Sequence, residues 1–542
     1  MLFFTLALSL GGVAIFWVRS RRVRFWFAVA LLLLLLTAVL SQGLRGALWP
    51  VGLWALLAVA AGYLAPVPQR RSVRLALAAA ALGVGGLAGA ASALMSFAPP
   101  PPTTGPYAVG SFIWPMRDTA RAEYQTQDPD DRRELMVEVW YPAEAPPRAP
   151  GERAEWQTGL AANKAPYSHP EVAGAIAGAY WFPPLAPLFV DEIGRIEKPG
   201  ARGVPMAPGG KAFPLLLFTP GYGVNIDYFS GLLADIASHG YVVVAVNPSH
   251  EVDLTLLPDG RRLASNDQTR QNEAGTTRAE ARRIETATIE GHGAMAGLAE
   301  MKEPARRQRY FDLRRQRAAG EAFLERSIDD RVADIGFVLD TLERHQAEGP
   351  SNLLSGRIDL SRVGVFGMSL GGPTAGQFCL VDARCKAGLN FDGEIWGGQL
   401  AAMDTRIPFM WVAGWREGDD RSSLLGAEYV FGAATQPVHF VEIDHMGHMD
   451  FSDMSFMAPM LGYAAQPLAL TLRGRSATLE GRRVSIDYAV AFFDRWLKGR
   501  TAPLLDAPAR EGVRHRRRNP VTIPAANPGD APARAAATQK EK

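Results

Sequence analysis

The first 97 residues of the chain are almost wholly apolar, with short charged or turn-forming breaks between four long apolar runs. Each run approaches the roughly 17–25 residues that cross a hydrocarbon core as a helix. No polar face interrupts residues 31–36, which argues against a buried helix bundle. The pattern therefore predicts an all-α, four-helix transmembrane domain over residues 1–98, with a signal peptide as the alternative for the first run. The four runs cover residues 2–18, 25–40, 48–64 and 75–97.

Arginine residues in the short breaks between these runs predict the orientation of the domain. Four arginines follow the first run and three precede the fourth, whereas the middle break has only Arg45. Cytoplasmic loops carry an excess of Lys and Arg, so the first and third breaks are predicted to lie in the cytoplasm. The rest of the chain is then expected on the periplasmic or extracellular side of a cytoplasmic (inner) membrane, with the lipid bilayer as a partner.

A different pattern begins after a Pro-rich linker over residues 99–104, which we expect to act as a stiff spacer. Residues 135–141 alternate like a half-exposed strand, and short apolar runs then alternate with helical patterns. This order is typical of parallel βαβ units, so residues 105–500 are predicted to form a mostly parallel sheet with helices on both faces. Further predicted strands cover 213–218, 241–246, 363–366, 387–391, 408–413 and 438–443, and the main predicted helices cover 228–239, 326–343 and 486–496.

Composition bears on the class of partner, on the state of the cysteines and on the C-terminal tail. A formal net charge of +2, with Arg matched by Asp and Glu, argues against nucleic acid as a partner. The two cysteines, Cys379 and Cys385, are too few for a disulfide framework and show no metal-ligand pattern. One bridge between them is an alternative to the favoured interpretation of two part-buried thiols. Residues 501–542 are rich in Pro, Ala and Arg and are predicted to be disordered, with the basic run 514–518 keeping this tail solvated.

The segment from Val363 to Gly372 carries the clearest chemical signal. A strand-forming run leads into Gly-Met-Ser-Leu-Gly, and small residues follow it. This context predicts a nucleophile elbow, in which Ser369 occupies a sharp turn between strand and helix and the glycines allow the tight backbone. A Gly-rich turn without chemistry is the alternative for the pentapeptide alone. We therefore predict that Ser369 is the nucleophile of an α/β-hydrolase fold.

A serine nucleophile needs a histidine to accept its proton and a carboxylate to orient that histidine. His445 and His448 both follow the last predicted strand, where this fold places its base. Asp392 follows one earlier strand, and Asp419 and Asp420 follow the next. The residues alone leave the choice of base and of acid open.

The Gly221-Tyr-Gly223 turn at the end of the predicted strand 213–218 is the candidate for the oxyanion loop. One oxyanion donor must come from a backbone N–H in this earlier loop, and glycines beside Tyr222 allow its N–H to point inward. An ordinary turn at the end of a strand is the alternative.

In this order, these motifs resemble the platelet-activating factor acetylhydrolase family, in its plasma and intracellular type II forms. The resemblance covers residues 105–500. It implies Ser369 as nucleophile, Asp392 as acid, His448 as base, and the backbone N–H groups of Tyr222 and Leu370 as the oxyanion hole. The matching motifs are Gly105-Pro-Tyr-x-Val-Gly110, Phe218-x-x-Gly221-Tyr-Gly223, Gly367-x-Ser-x-Gly-Gly372, Asp392 and His448-x-x-Phe451-x-Asp453.

The resemblance also implies hydrolysis of short or oxidised sn-2 acyl chains of phospholipids, without calcium, another metal or a cofactor. The chain departs from the family in its multi-span N-terminus, in Thr219-Pro-Gly-Tyr where the family has a His-Gly form, and in Met368 where it has His. These departures leave acyl and headgroup specificity open. A general short-chain carboxylesterase or polyester-type hydrolase is the alternative within the fold. A membrane-anchored, non-catalytic binding module is the alternative from another class.

Overall fold

The structure of the 542-residue chain is a computed structural model. Its largest unit is a mixed sheet of ten strands. The residues that it describes are 20–42, 49–64, 71–94, 100–126, 128–144, 196–208, 212–252, 254–264, 298, 301–320, 322–347, 354, 356–394, 406–415, 422–453 and 468–518.

In the described residues before the sheet, the chain forms three helices: α1 (Arg21–Gln42), α2 (Trp49–Leu64) and α3 (Arg71–Leu94). They coincide with most of the second, third and fourth predicted spans, while the first span lies outside the described residues. Trp54 of α2 packs closely against Gly85 of α3. A Cβ at Gly85 would lie only 3.0 Å from the tryptophan ring.

The membrane prediction is not supported by these helices. Within the described ranges, no helix is both long enough and apolar enough to cross a membrane. Helix α2 has 16 residues, or about 24 Å of helix, against a hydrocarbon core of about 30 Å.

The sheet contains six neighbouring parallel strands, flanked by antiparallel strands on both sides. From one edge to the other its order is β12-β11-β10-β9-β8-β4-β5-β2-β1-β3, and β6 and β7 form a separate hairpin. The bounds are β1 (Ala108–Ala122), β2 (Arg132–Ala143), β3 (Ala201–Arg202), β4 (Phe213–Thr219), β5 (Val242–Asn247), β6 (Leu254–Leu256), β7 (Arg262–Ala264), β8 (Ile358–Met368), β9 (Cys385–Phe391), β10 (Phe409–Trp415), β11 (Val438–Asp444) and β12 (Val513–Arg518).

The chain order reverses at β4, which has β5 on one side and β8 on the other. Ligands of open α/β sheets bind outside the carboxyl ends of the strands at such a switch point. The predicted oxyanion loop follows β4 and the predicted nucleophile follows β8. The topology therefore brings these two segments to the same edge of the sheet.

Helices cover both faces of the sheet, as predicted. Alternate residues of β4 show this division, since successive side chains of a strand point to opposite faces. Leu215 and Leu217 share an apolar cluster with residues of the helices at 322–347 and 371–381, whereas Leu216 and Phe218 share one with residues of the helices at 230–238 and 468–498. The prediction of a mostly parallel sheet with helices on both faces is confirmed. The helices are α4 (Ser230–Ser238), α5 (Ala305–Gly320), α6 (Ala322–Ala347), α7 (Gly371–Val381), α8 (Ser422–Val430) and α9 (Leu468–Lys498).

The described part of the predicted linker lies against α4. The N–H and the hydroxyl of Thr104 donate to Asp235 Oδ1 at 2.6 and 2.8 Å, and Gly105 N–H donates to Ser238 Oγ at 2.9 Å. These contacts hold the end of the spacer to the domain that contains the sheet. Strand β1, which the sequence pattern did not reveal, begins directly after them.

Part of the tail that was predicted to be disordered is a strand, so that prediction is wrong for residues 513–518. Strand β12 pairs antiparallel with β11. Arg514 donates to Glu442 at 2.9 Å and to Asp444 at 2.8 Å, so the basic run has carboxylate partners that lie far earlier in the chain. Residues 519–542 lie outside the described residues.

The favoured interpretation of the two cysteines is also wrong, because Cys379 and Cys385 form a disulfide with a Cα–Cα distance of 5.1 Å. Cys379 lies near the end of α7 and Cys385 begins β9. A short reversal of the chain brings them together. The bridge thus joins the helix that follows Ser369 to the strand that leads to Asp392.

Candidate active site

Ser369 occupies the turn between β8 and α7 with a φ of +55°, in the left-handed region that few non-glycine residues adopt. A Cβ at Gly367 would lie 2.2 Å from the carbonyl oxygen of Gly371. A Cβ at Gly371 would lie 2.0 Å from that of Thr219. Both glycines are therefore required by the close approach of backbone to backbone, which is the geometry of a nucleophile elbow.

A continuous hydrogen-bonded chain joins Ser369, His448 and Asp392. Nε2 of His448 lies 2.9 Å from Ser369 Oγ, and Nδ1 lies 2.8 Å from Asp392 Oδ2. A carboxylate beside Nδ1 favours the tautomer with its proton on that nitrogen, which leaves Nε2 free to accept the serine proton. The structure thus brings together the three residues that the family resemblance implied, in the relative positions of nucleophile, base and acid.

The electrostatics of His448 favour its charged form. Desolvation lowers the pKa of the imidazole, while the hydrogen bond that it donates to Asp392 and the charge of that carboxylate raise it. The side chain of His448 is 49% exposed, so water moderates the desolvation. The net effect raises the pKa of His448 above the ordinary 6.5. The imidazolium that forms when Ser369 loses its proton is stabilised in this way.

The turn that carries Asp392 is held by residues that the sequence did not single out. Asp392 Oδ1 accepts the N–H of Gly414 at 3.0 Å. The buried amide of Asn390 accepts the Gly393 N–H at 2.7 Å and donates to the Gly393 carbonyl at 2.9 Å, and Trp411 Nε1 donates to the same carbonyl at 3.1 Å. A polar side chain within an apolar strand needs partners when it is buried. The asparagine within the apolar run 387–391 could therefore have indicated a structural hydrogen-bonding role from the sequence alone.

The loop that carries His448 is anchored on two sides. Asp450 Oδ2 accepts the Gly447 N–H at 2.7 Å, which closes the turn before His448. The fully buried Asp453 accepts the Gly231 N–H at 2.5 Å and a bond from Arg482 Nη2 at 3.0 Å, which joins the loop to α4 and α9. Asp453, part of the sequence motif, thus supports the loop.

The structure tests the alternative base but not the alternative acids. His445 lies in the same loop with a φ of +64°, but His448 is the histidine whose ring contacts Ser369. The rival acids Asp419 and Asp420 lie outside the described residues.

The two predicted oxyanion donors lie on backbone that meets at Ser369. Leu370 is the N-cap residue of α7, at the end where a helix leaves its first N–H groups without intrahelical acceptors. Gly221 brings the earlier loop against the nucleophile, since a Cβ there would lie 3.1 Å from Ser369 Cβ and 3.6 Å from Oγ. The roles of the Tyr222 and Leu370 N–H groups stay a prediction. In the described part of the chain, no cluster of three or more His, Cys, Asp or Glu could hold a metal ion.

Two comparisons with known proteins bear on the fold and on the first part of the domain. Among solved structures, the chain is similar to a ferulic acid esterase from Streptomyces cinnamoneus, with 23% identity, coverage of 77% of this chain and 98% of that chain, and a TM-score of 0.50. The fold is that of an α/β-hydrolase. The family model described as platelet-activating factor acetylhydrolase, isoform II, matches residues 96–252. No curated protein sequence matches the chain.

The family match of this α/β-hydrolase is partial. It includes the predicted oxyanion loop and ends before Ser369, Asp392 and His448. The match therefore supports the resemblance in the first part of the catalytic domain. The chemistry of the site rests on the geometry of the three side chains and the loops around them.

Proposed function

We propose that the protein is a serine ester hydrolase that forms an acyl-enzyme on Ser369. The hydrogen-bonded chain from Asp392 through His448 to Ser369 carries the proposal. As Ser369 Oγ attacks the ester carbonyl, His448 accepts the serine proton, and the N–H groups of Tyr222 and Leu370 bind the developing oxyanion. His448 then protonates the leaving alcohol. Next it deprotonates a water molecule, which attacks the acyl carbonyl. As the bond from that carbonyl to Ser369 Oγ breaks, the imidazolium returns the proton to Oγ and the carboxylic acid is released.

We further propose that the preferred substrates carry short or oxidised acyl chains, with the sn-2 esters of phospholipids as the natural class. The partial match to the acetylhydrolase family supports this choice. Withdrawing an acyl chain from a bilayer costs about 0.8 kcal/mol per CH₂, so a truncated chain reaches the site far more readily than a long one. We expect a steep preference for acyl groups of roughly two to eight carbons.

The test is kcat/KM on phosphatidylcholines that differ only in the length of the sn-2 chain. A sharp fall with length is the expected result. A flat profile, or no phospholipid turnover beside rapid hydrolysis of p-nitrophenyl butyrate, contradicts the phospholipid substrate and leaves a general short-chain carboxylesterase. The half-exposed ring of His448 favours that second candidate, because a solvent-accessible base also suits water-soluble esters.

We also propose that the catalytic domain lies outside the cytoplasm, at the surface of a membrane. The arginines of the N-terminal breaks support the orientation, and the disulfide is typical of an oxidising compartment. Large apolar side chains are exposed on all three N-terminal helices, among them Trp26, Leu33, Leu57 and Leu87. Alkaline phosphatase fused after Pro102 should be active and should sediment with membranes. An inactive fusion, with an active cytoplasmic reporter at the same position, contradicts this localisation.

A further inference from the structure

We propose that Arg331, on α6, is a positioning residue for the oxyanion loop and that Glu251 holds it in place. The inference rests on the ester hydrolase function proposed above. Nη1 of Arg331 donates to the carbonyl oxygen of Pro220 at 2.6 Å, and Nε donates to Glu251 Oε2 at 2.8 Å. The side chains of Arg331 and Glu251 are 1% and 3% exposed, so the pair is buried beneath the loop.

The Pro220 carbonyl belongs to the peptide unit just before the predicted oxyanion donor. In a planar trans peptide, the N–H points opposite to the carbonyl of the preceding residue. The bond from Arg331 fixes the plane of the peptide unit between Pro220 and Gly221. A bond from Val224 N–H to the Gly221 carbonyl, at 3.4 Å, fixes the plane of the next peptide unit. That second plane carries the N–H of Tyr222. Since the intervening Gly221 allows a wide range of dihedral angles, the direction of this N–H depends on these anchors.

The same face of α6 supports the side chains beside the oxyanion hole. Ile328 and Leu370 form a small buried cluster, against which Tyr222 and Leu324 pack. Residues 324, 328 and 331 follow one another at helical intervals of four and three, so they lie on one face. Helix α6 therefore contacts the residues of both predicted oxyanion donors. Arg331 adds to this packing a hydrogen bond directed at the backbone of the loop.

Glu251 connects the loop after β5 to the same arrangement. Its carboxylate accepts a short hydrogen bond from the hydroxyl of Ser327, in addition to the bond from Arg331. The next residue, Val252, forms an isolated β-bridge with Gly223 of the oxyanion loop. The segment around Glu251 thus meets the oxyanion loop through its backbone and again through Arg331.

Arginine suits this position because its planar guanidinium presents Nε and Nη1 in a fixed geometry to two acceptors. A lysine offers a single ammonium on a flexible stem and cannot reproduce both bonds in their directions. Loss of one oxyanion donor costs about 10²–10³ in kcat, and a displacement of about 1 Å costs on the order of 10²-fold. We therefore expect the loss of Arg331 to lower kcat through the alignment of Tyr222 N–H.

The experiment compares Arg331→Met and Arg331→Lys with the control Arg121→Met. Arg121 is a partly buried arginine that also binds α6, and it pairs with Asp118 at 2.6 Å and with Asp334 of α6 at 2.7 Å. We would measure kcat and KM on p-nitrophenyl butyrate, the inhibition constant of a trifluoromethyl ketone, whose adduct bears an oxyanion, and the melting temperature. Arg331→Met should lower kcat on the order of 10²-fold with little change in KM, and should raise the inhibition constant of the ketone by a similar factor.

Arg331→Lys should lie between wild type and Arg331→Met, while Arg121→Met should lower the melting temperature and leave kcat and ketone affinity near wild type. The inference is overturned if Arg331→Met keeps kcat, if kcat falls with unchanged ketone affinity, or if Arg121→Met shows the same kinetic loss. Should Arg331→Met not fold, Arg331→Lys and Glu251→Gln provide the same comparison. A wild-type protein that hydrolyses no ester overturns the proposed function itself, which distinguishes that failure from this one.

Discussion

Replacing Asp392 with asparagine changes one atom of the site and reverses the hydrogen-bond character of the group that faces His448. The asparagine oxygen can keep the bond from Gly414 N–H, which Asp392 Oδ1 accepts at 3.0 Å, so the turn should remain folded. The amide NH₂ then faces Nδ1 of His448, where Oδ2 lay at 2.8 Å. A donor at that position forces the proton onto Nε2, and the imidazole can no longer accept the proton of Ser369.

The magnitude follows from the loss of both the tautomer and the carboxylate charge that raises the pKa of His448. The same replacement of the acid in a serine protease lowers kcat by about 10⁴, which corresponds to about 5.4 kcal/mol of transition-state stabilisation. We expect a loss of that order in kcat on p-nitrophenyl butyrate, with little change in KM and a melting temperature close to that of wild type.

Two controls accompany this measurement. Asp444→Asn alters a carboxylate at the end of β11 that binds Arg514 and has no part in the triad, and it should leave kcat within a few-fold of wild type. Asp420→Asn tests the rival acid and should also have a small effect. If Asp392→Asn retained most of the activity and Asp420→Asn lost it, the acid would belong to the strand after the one that we infer.

Three further predictions concern pH and stability. Because neutral His448 is the active base and its pKa is raised, kcat/KM should fall as pH drops, with a midpoint above 6.5; a midpoint below 6.5 contradicts the role of Asp392. Replacing Cys379 and Cys385 with serine opens a bridge of sequence separation 6 and should lower the free energy of unfolding by about 2 kcal/mol, as measured by denaturant titration; unchanged stability would refute this. Asp453→Ala removes a carboxylate that binds the buried Arg482 and should cost about 3–5 kcal/mol of stability; a loss below about 1 kcal/mol would contradict the anchoring of the His448 loop.

The parallel strands were predictable from the sequence because a strand buried on both faces appears as a short apolar run. The predicted strand 213–218 is observed as Phe213–Thr219, and 438–443 as Val438–Asp444. Strands β1 and β12 were missed because their exposed polar or basic residues interrupt such a run.

The residues of the site also separate into those that the sequence predicts and those that it does not. Ser369 was predictable because it follows a strand within a short motif that the fold requires locally, whereas only the family resemblance separated His448 from His445. Asn390, Arg331 and the cysteine bridge depend instead on contacts between segments that the sequence does not pair. Only the folded structure brings these residues together with their partners.

The central claim is that Ser369 forms an acyl-enzyme, and covalent labelling tests it most directly. The full-length protein would be treated with a fluorophosphonate, and the labelled peptide would be identified by mass spectrometry while p-nitrophenyl butyrate hydrolysis is followed in parallel. We predict one adduct per molecule, located on Ser369, with activity lost in proportion to labelling and with neither labelling nor activity in Ser369→Ala. Hydrolysis that persists in Ser369→Ala, or an adduct on a different residue, would contradict the account.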